Sequence, residues 1–296
     1  MIKEVGMIGL GKMGIGMSER LLNRGIRVVA YNRSRDKVDK IKSKGAIPAY
    51  SLEELIANLN SKRKIILIML PAGKPTNDMI KRVLKLLSNE DILINGANDF
   101  YKNAEKQSKL CEKNGVVFFD FGVSGGILGF RNGYVLMIGG KKTKFKEIEF
   151  ICRALSPKNG YAYFGEAGSG HFVKSVHNII EYVYLQGIAE GIELLDKKRI
   201  NLLKAVRIWN NGSIIQSLLI ELTANTLKRN DFNKIKPKIE SITINELIKT
   251  KNSIEGFSPA FDVAVKIRKN KTKDFLLGKK IIAAVRNEFG GHKLLK

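Results

Sequence analysis

The chain has 296 residues, 44% hydrophobic and 27% charged, which suffices for one large folded domain or two moderate ones and is unlike a disordered chain. Its 52 Lys and Arg against 28 Asp and Glu give a formal charge of +24, which attracts nucleic acid, an acidic membrane surface or a phosphorylated metabolite. The excess is spread thinly, with small clusters such as Lys62-Arg63-Lys64, so it reads as a solvated basic surface and disfavours a dedicated nucleic-acid stripe.

Residues 5 to 10, VGMIGL, form an apolar run that leads into Gly9-Leu10-Gly11-Lys12-Met13-Gly14 and then an amphipathic stretch through Leu22. The order is strand, glycine turn, helix. Gly9 permits the tight bend, Gly11 lets a pyrophosphate approach the backbone, and Gly14 lets helix and strand pack closely, while the helix start presents N–H donors. A second strand, Arg27 to Tyr31, completes the unit, and together they predict a dinucleotide site. Asn32-Arg33-Ser34 follow, where an NAD enzyme usually carries an acid for the ribose 2′-hydroxyl. With no carboxylate to repel a 2′-phosphate, with Arg33 to pair with it and Ser34 to donate to it, NADP is favoured over NAD. The alternative is that Arg33 is a surface charge at the start of the next helix.

Ser51-Leu52-Glu53-Glu54 has the pattern of a capping box. Further strands are predicted over residues 64–70, 91–95, 116–121 and 161–165, with helical patterns between most of them. This alternation predicts an α/β fold, a Rossmann-type doubly wound parallel sheet over residues 1–165, followed by an all-α domain over 166–296. Loops at the strand ends, around Leu70-Pro71-Ala72-Gly73 and Gly96-Ala97-Asn98, border the expected cofactor cleft.

Gly168-Ser169-Gly170 then introduces HFVKSVHNIIEYVYLQGIAEGIELL, one long, largely buried helix. Lys174, His177, Asn178 and Glu181 recur at spacings of three or four and share a face. Seven residues separate Lys174 from Glu181, about 10 Å along the axis at roughly 1.5 Å per residue, enough to bracket a short sugar-acid chain. One end can take a proton and the other return one. Read from the residues alone, the face is equally a polar cluster bonded across a domain interface.

The helix segment, with GHFVK, HN and EY in this order, resembles the active-site helix of the 6-phosphogluconate dehydrogenase family. Val123-Ser124-Gly125-Gly126, Gly129, Arg131-Asn132-Gly133 and Met137-Ile138-Gly139-Gly140 are similar to its substrate loop and following strand. Trp209, Gly212-Ser213 and Ser217 resemble its W-x-x-G-S-x-x-x-S stretch, and Arg286-Asn287-Glu288-Phe289-Gly290-Gly291-His292 its terminal signature. The likeness covers nearly the whole chain, in the family's short form with one helical domain.

The resemblance implies oxidative decarboxylation of 6-phosphogluconate to ribulose 5-phosphate, a pentose phosphate pathway reaction that uses a nicotinamide cofactor and no metal. It implies that an uncharged Lys174 removes the C3 hydroxyl proton and later stabilises the enolate, and that Glu181 protonates C1 of the enediol. Ser124, Gly125, Gly126, His177 and Asn178 would orient the sugar acid, Asn98 would stand near substrate and nicotinamide, and Tyr182 would contact the phosphate. Arg286 and His292 would reach the site from a partner subunit, making the protein a homodimer or homotetramer with shared sites.

Three departures qualify the match. Gly96-Ala97-Asn98-Asp99 stands where the family reads G-G-N-S, and the carboxylate of Asp99 could repel an anion. A G-x-G-[KR]-W-T phosphate loop is replaced by residues 238–243, KIESIT, and a family arginine falls on Lys266, with Lys236, Lys238 and Arg268 as possible compensation. Weaker phosphate affinity is therefore expected, which leaves two alternatives open: a β-hydroxyacid dehydrogenase on a smaller unphosphorylated acid, or a non-catalytic basic binding protein. Cys111 and Cys152, without C-x-x-C spacing, fit a reducing cytoplasmic setting and no metal or disulfide framework. With no apolar run of spanning length and no room for a signal peptide before the first strand, a soluble protein is expected.

Overall fold

The computed structural model describes residues 3–239, 244–270 and 274–296. Its contacts divide into two compact units, Met1–Ser175 and Val176–Lys296, with the division inside the long helix.

The first unit is built on eight strands: β1 (Glu4–Ile8), β2 (Arg27–Tyr31), β3 (Ile47–Ala49), β4 (Ile65–Ile68), β5 (Ile92–Asn95), β6 (Val117–Ser124), β7 (Val135–Gly140) and β8 (Tyr161–Gly165). They lie in the order β3-β2-β1-β4-β5-β6-β7-β8. Helices α1 (Lys12–Leu22), α2 (Arg35–Lys42), α3 (Leu52–Ala57), α4 (Lys74–Leu84), α5 (Tyr101–Lys113), α6 (Gly129–Asn132) and α7 (Phe145–Leu155) connect them. The 29-residue α8 (Ser169–Lys197) begins in this unit.

Strands such as IILI of β4 and ILIN of β5 are buried along their whole length, as expected of a sheet covered by helices on both faces. Alternate residues of each strand feed opposite cores: Leu67 and Ile94 pack with Met7 and Phe119 on one face, Ile66, Ile68 and Leu93 with Ile8 and Phe118 on the other. From β1 the chain winds outward through β2 and β3, then returns to β4 on the other side of β1. The carboxyl ends of β1 and β4 therefore flank the topological switch point where such sheets take ligands.

Two strands lie outside the alternation read from sequence, β3 and β7. β7 runs antiparallel to β6, pairing from Phe119 with Gly140 to Ser124 with Val135, because the short link between them is too brief for a parallel crossover. That pairing carries β6 past residue 121 to Ser124. The capping box forms: Ser51 Oγ accepts the Glu54 N–H at 3.0 Å, and Glu54 Oε2 accepts the Tyr50 N–H at 2.8 Å.

The second unit holds the rest of α8 with α9 (Leu202–Trp209), α10 (Leu218–Leu227), α11 (Ile244–Asn252), α12 (Pro259–Lys269) and α13 (Leu276–Gly290). Asn201 and Ser217 cap α9 and α10 through the N–H groups of Lys204 and Ile220. Tyr182, Ile244, Leu247 and Phe261 form a core, and Glu193 accepts the Gly278 N–H at the start of α13 at 2.9 Å. The tail is tied down on its own chain: Asn287 Nδ2 donates to His292 O at 2.7 Å, Lys236 N to Leu295 O at 2.8 Å, and Lys296 pairs with Asp231 at 3.0 Å.

Cys111 and Cys152 are buried and unbridged, and burial pushes the Cys111 thiol up to about 12 and Cys152 higher still. Among the described residues no helix is long and apolar enough to cross a membrane, and no cluster of three His, Cys, Asp or Glu could hold a metal. Ser51→Ala is expected to destabilise the sheet unit by about 1 kcal/mol through loss of the α3 cap, read as a lower urea midpoint with an unchanged slope.

Candidate functional site

At the switch point, Gly9 has φ +99° and donates its N–H to Tyr31 O at 3.0 Å. A Cβ on Gly14 would lie 1.9 Å from Gly9 O, whereas one on Gly11 would meet nothing within 4 Å. Backbone and helix are thus pressed together behind the turn and open in front of Gly11, at the start of α1, which is the shape a pyrophosphate requires. A nicotinamide dinucleotide fits these residues.

Asn32 proves to be part of the turn's own scaffold. Its Oδ1 accepts the Leu10 N–H at 3.0 Å and its Nδ2 donates to Ser34 O at 3.3 Å, so it locks the end of β2 to the glycine turn. Arg33 and Ser34 are exposed beside it, and the Ser34 hydroxyl makes no cap bond to α2. Arg35, which sequence reasoning passed over, sits 5.4 Å above the Tyr50 ring, whose hydroxyl donates to Asp39 at 2.6 Å. Met13 and Leu70 are half-buried at the turn and after β4.

Asn98, with φ 51°, spends both ends of its amide on one residue of β6: Nδ2 donates to Val123 O at 3.0 Å and Oδ1 accepts Val123 N–H at 2.8 Å. It fixes the loop that carries Ser124, Gly125 and Gly126. The loop turns through left-handed backbone at Gly125, φ +118°, a conformation that side chains other than glycine resist. Asp99 is buried, and its Oδ1 accepts the Phe100 N–H at 2.7 Å and Asn103 Nδ2 at 3.0 Å. That oxygen is turned into the start of α5, a local contact with the next residue and the next helical turn.

Lys174 is 6% exposed and is held where α8 crosses β6. A Cβ on Gly122 would stand 2.4 Å from Gly170 O and 2.6 Å from Lys174 Cβ, so the absence of a side chain at Gly122 is what admits the lysine at that depth. A cavity of about 500 Å3 elsewhere in this unit, lined in part by Asn89, Glu112, Lys141 and Glu166, contains none of these residues.

His177, Asn178, Glu181 and Tyr182 continue along α8 in the helical unit, and His177 Nδ1 lies 3.0 Å from Asn178 Oδ1. On α12 the buried cation is Arg268, not Lys266, which is exposed. Phe261, Ala264 and Arg268 share the buried face at helical spacing, and Lys266 is out of phase with it. The Arg268 guanidinium lies 3.5 Å over the Tyr182 ring, and its Nη2 reaches Tyr182 O at 3.4 Å. Its Nε and Nη1 and the Tyr182 hydroxyl are buried without a hydrogen-bond partner. Burial lowers Arg268 to about 10; the Arg286 charge lowers it further, while Tyr182 and Glu181 oppose the shift.

Arg286 is itself 4% exposed within this unit. α13 and its tail are hydrogen-bonded to their own chain, and the Arg286 charge acts on Arg268 of that chain. His292, half-buried, makes an edge contact with Phe289 at 6.3 Å. Of the replaced phosphate loop, Lys238 is exposed and Ile239 buried, while residues 240–243 lie outside the described residues.

A sequence profile of the NAD binding domain of 6-phosphogluconate dehydrogenase matches residues 4–165, and one of the 6-phosphogluconate dehydrogenase C-terminal domain matches residues 170–253. The chain is 34% identical over 293 residues to the YqeC protein of Bacillus subtilis (strain 168), whose own assignment as a 6-phosphogluconate dehydrogenase is provisional; 98% of each chain is covered. It is 37% identical over 247 residues to the decarboxylating 6-phosphogluconate dehydrogenase of Staphylococcus aureus (strain N315), covering 79% of this chain but 52% of that enzyme. The chain thus spans about half the length of the staphylococcal enzymes it matches. Among solved structures, Plasmodium falciparum 6-phosphogluconate dehydrogenase superposes with a TM-score of 0.82 at 27% identity, over 99% of this chain and 66% of that one. Mycobacterium tuberculosis 3-hydroxyisobutyrate dehydrogenase gives 0.77 at 19% identity, over 97% and 100% of the two chains, a likeness of fold.

Two stability measurements check the packing. Gly122→Ala is expected to cost about 1–3 kcal/mol, since backbone or a Cβ must move to admit the methyl group. Arg268→Met is expected to melt at or above the wild-type temperature, because apolar volume replaces a buried charge whose Nε and Nη1 have no hydrogen-bond partner. A fall of about 5 °C or more, roughly 1–2 kcal/mol for a chain of this size, would show that the ring and carbonyl contacts dominate instead.

Proposed function

Because the chain belongs to the 6-phosphogluconate dehydrogenase family, we propose that it oxidises and decarboxylates 6-phospho-D-gluconate to ribulose 5-phosphate and CO2 with NADP. The observation that carries this reading is the buried Arg268 guanidinium, two of its nitrogens without partners, stacked on Tyr182 immediately after Glu181 on α8. A buried cation with two nitrogens lacking a hydrogen-bond partner calls for an anion. Arg286 nearby adds a second positive charge, which suits a phosphate ester better than an unphosphorylated acid. This arrangement argues against the weakened phosphate site expected from residues 238–243.

In the proposed reaction the nicotinamide, when bound across Gly9, Gly11, Met13 and Gly14 with Arg33 and Ser34 at a 2′-phosphate and Leu70 and Asn98 toward the ring, supplies the hydride acceptor. The chain's own groups move the protons. Lys174 Nζ takes the C3 hydroxyl proton as the alcohol becomes a ketone. The new carbonyl accepts the electrons of the breaking bond to the carboxyl carbon, CO2 leaves, and Lys174, now carrying the proton, stabilises the enolate oxygen. Glu181 then delivers a proton to the carbon that becomes C1 of ribulose 5-phosphate. Ser124, Gly125, Gly126, His177 and Asn178 orient the sugar acid, Tyr182 and Arg268 hold the phosphate with Arg286, and His292 borders it.

Self-association is part of the same reading. Val176, Ile180 and Leu194 are exposed on one stripe of α8, and at about 100° per residue that stripe is turned well away from Lys174 and Glu181. A second copy covers it without blocking the site.

Reduced-cofactor absorbance with 6-phosphogluconate and each nicotinamide, set beside 3-hydroxyisobutyrate, tests the assignment. Turnover with the phosphorylated acid and a preference for NADP are expected, with Lys174→Ala slower by about 100-fold or more. Turnover confined to the small acid would establish the β-hydroxyacid reading, and Lys174→Ala at the wild-type rate would remove the base. In light scattering, Ile180→Glu with Leu194→Glu is expected to lower the assembly mass.

A further inference from the structure

We infer that Asp120 is the positioning residue that sets where Lys174 stands; the inference rests on the reaction proposed above, in which Asp120 itself touches neither substrate nor cofactor. Asp120 lies in the middle of β6, inside the apolar run VFFDFGV, and is fully buried. No cation among the described residues pairs with it. A carboxylate in such a place persists only where hydrogen-bond donors replace water, and both of its oxygens are met by backbone: Oδ1 accepts the Gly168 N–H and Oδ2 the His171 N–H, each at 2.7 Å. These amides bracket the first turn of α8, where N–H groups have no acceptor within the helix and where negative charge is favoured by the helix dipole.

Lys174 follows His171 by one turn, so a shift of that first turn is passed rigidly to the lysine. The seat leaves no slack to absorb it. Asp120 and Gly122 alternate onto the same side of β6, and both face α8. A Cβ on Gly139, the residue paired with Asp120 on β7, would lie 2.5 Å from Asp120 Oδ1, and one on Gly170 would lie 2.4 Å from Met137 O and 2.6 Å from Asp120 O. The helix start is thus pressed onto two strands, with the carboxylate as a polar anchor from β6. The His171 ring adds a second tie from β5, with Nε2 at 3.2 Å from Asn95 O.

Asp120→Asn in the full-length protein tests the assignment, because the amide keeps the shape of the carboxylate but offers one acceptor where two amides need two. The expected result is a kcat lower by about 100-fold, the order of loss for a displacement of about 1 Å at a reacting group, with KM for the sugar acid and the dissociation constant of NADP unchanged. A variant that melts lower yet keeps the wild-type kcat per folded molecule would overturn the inference and leave Asp120 a structural residue. If the wild-type protein turns over no sugar acid, the proposed reaction fails on its own; Asp120 is then judged by labelling Lys174 with pyridoxal 5′-phosphate and borohydride. Labelling of the variant at least about tenfold faster or slower than wild type supports positioning, and equal rates refute it. If the variant does not fold, amide exchange in the wild-type protein decides: slow exchange at both Gly168 and His171 is expected, and exchange at the rate of an open amide at either would overturn the anchor.

Discussion

Two backbone amides at the head of a 29-residue helix and one buried carboxylate beneath them form the constraint on which the candidate site rests. A helix rises by about 1.5 Å per residue, so its first turn determines where the side chains of the next turn point. In the sheet unit this fixes the depth of Lys174 against Gly122. In the helical unit the same element supplies Tyr182, on which Arg268 of α12 stacks, and Glu193, which caps α13.

The parts of this arrangement that were legible in the sequence are those encoded locally. The glycine turn, the alternation of apolar strands with helices and the Ser51 to Glu54 box each follow from a short-range rule. The antiparallel β7 was hidden because an apolar run does not state its direction, and only the brevity of its link to β6 does. The family pattern falls on Lys266, which is exposed, whereas the three- and four-residue spacing of Phe261, Ala264 and Arg268 marks the buried face of α12. Asn98 and Asp99 show the opposite limit. Which way a short polar side chain turns depends on the donors and acceptors it meets, Val123 from a distant strand in one case and Asn103 from the next helical turn in the other.

Asp120 falls between these cases. A lone acid inside VFFDFGV announces that donors must meet it, although the sequence does not say which. The same logic applies to charge in general: the formal +24 of the chain is spread along it, whereas the proposed phosphate site rests on one guanidinium withdrawn from water beside Tyr182. Burial and the neighbouring Arg286 pull Arg268 down only to about 10, so the group stays cationic at neutral pH and its demand for an anion persists.

The two native thiols have a practical side. Both are sealed in opposite cores of the sheet unit, Cys111 among the residues packed with Phe118 and Cys152 among those packed with Phe119, and burial holds both in the unreactive protonated form. Maleimide and spin-label reagents should find no background target in the folded chain. A cysteine introduced at any exposed position therefore becomes a clean attachment point, which opens paired-probe distance measurements without first stripping the protein of its own sulfur.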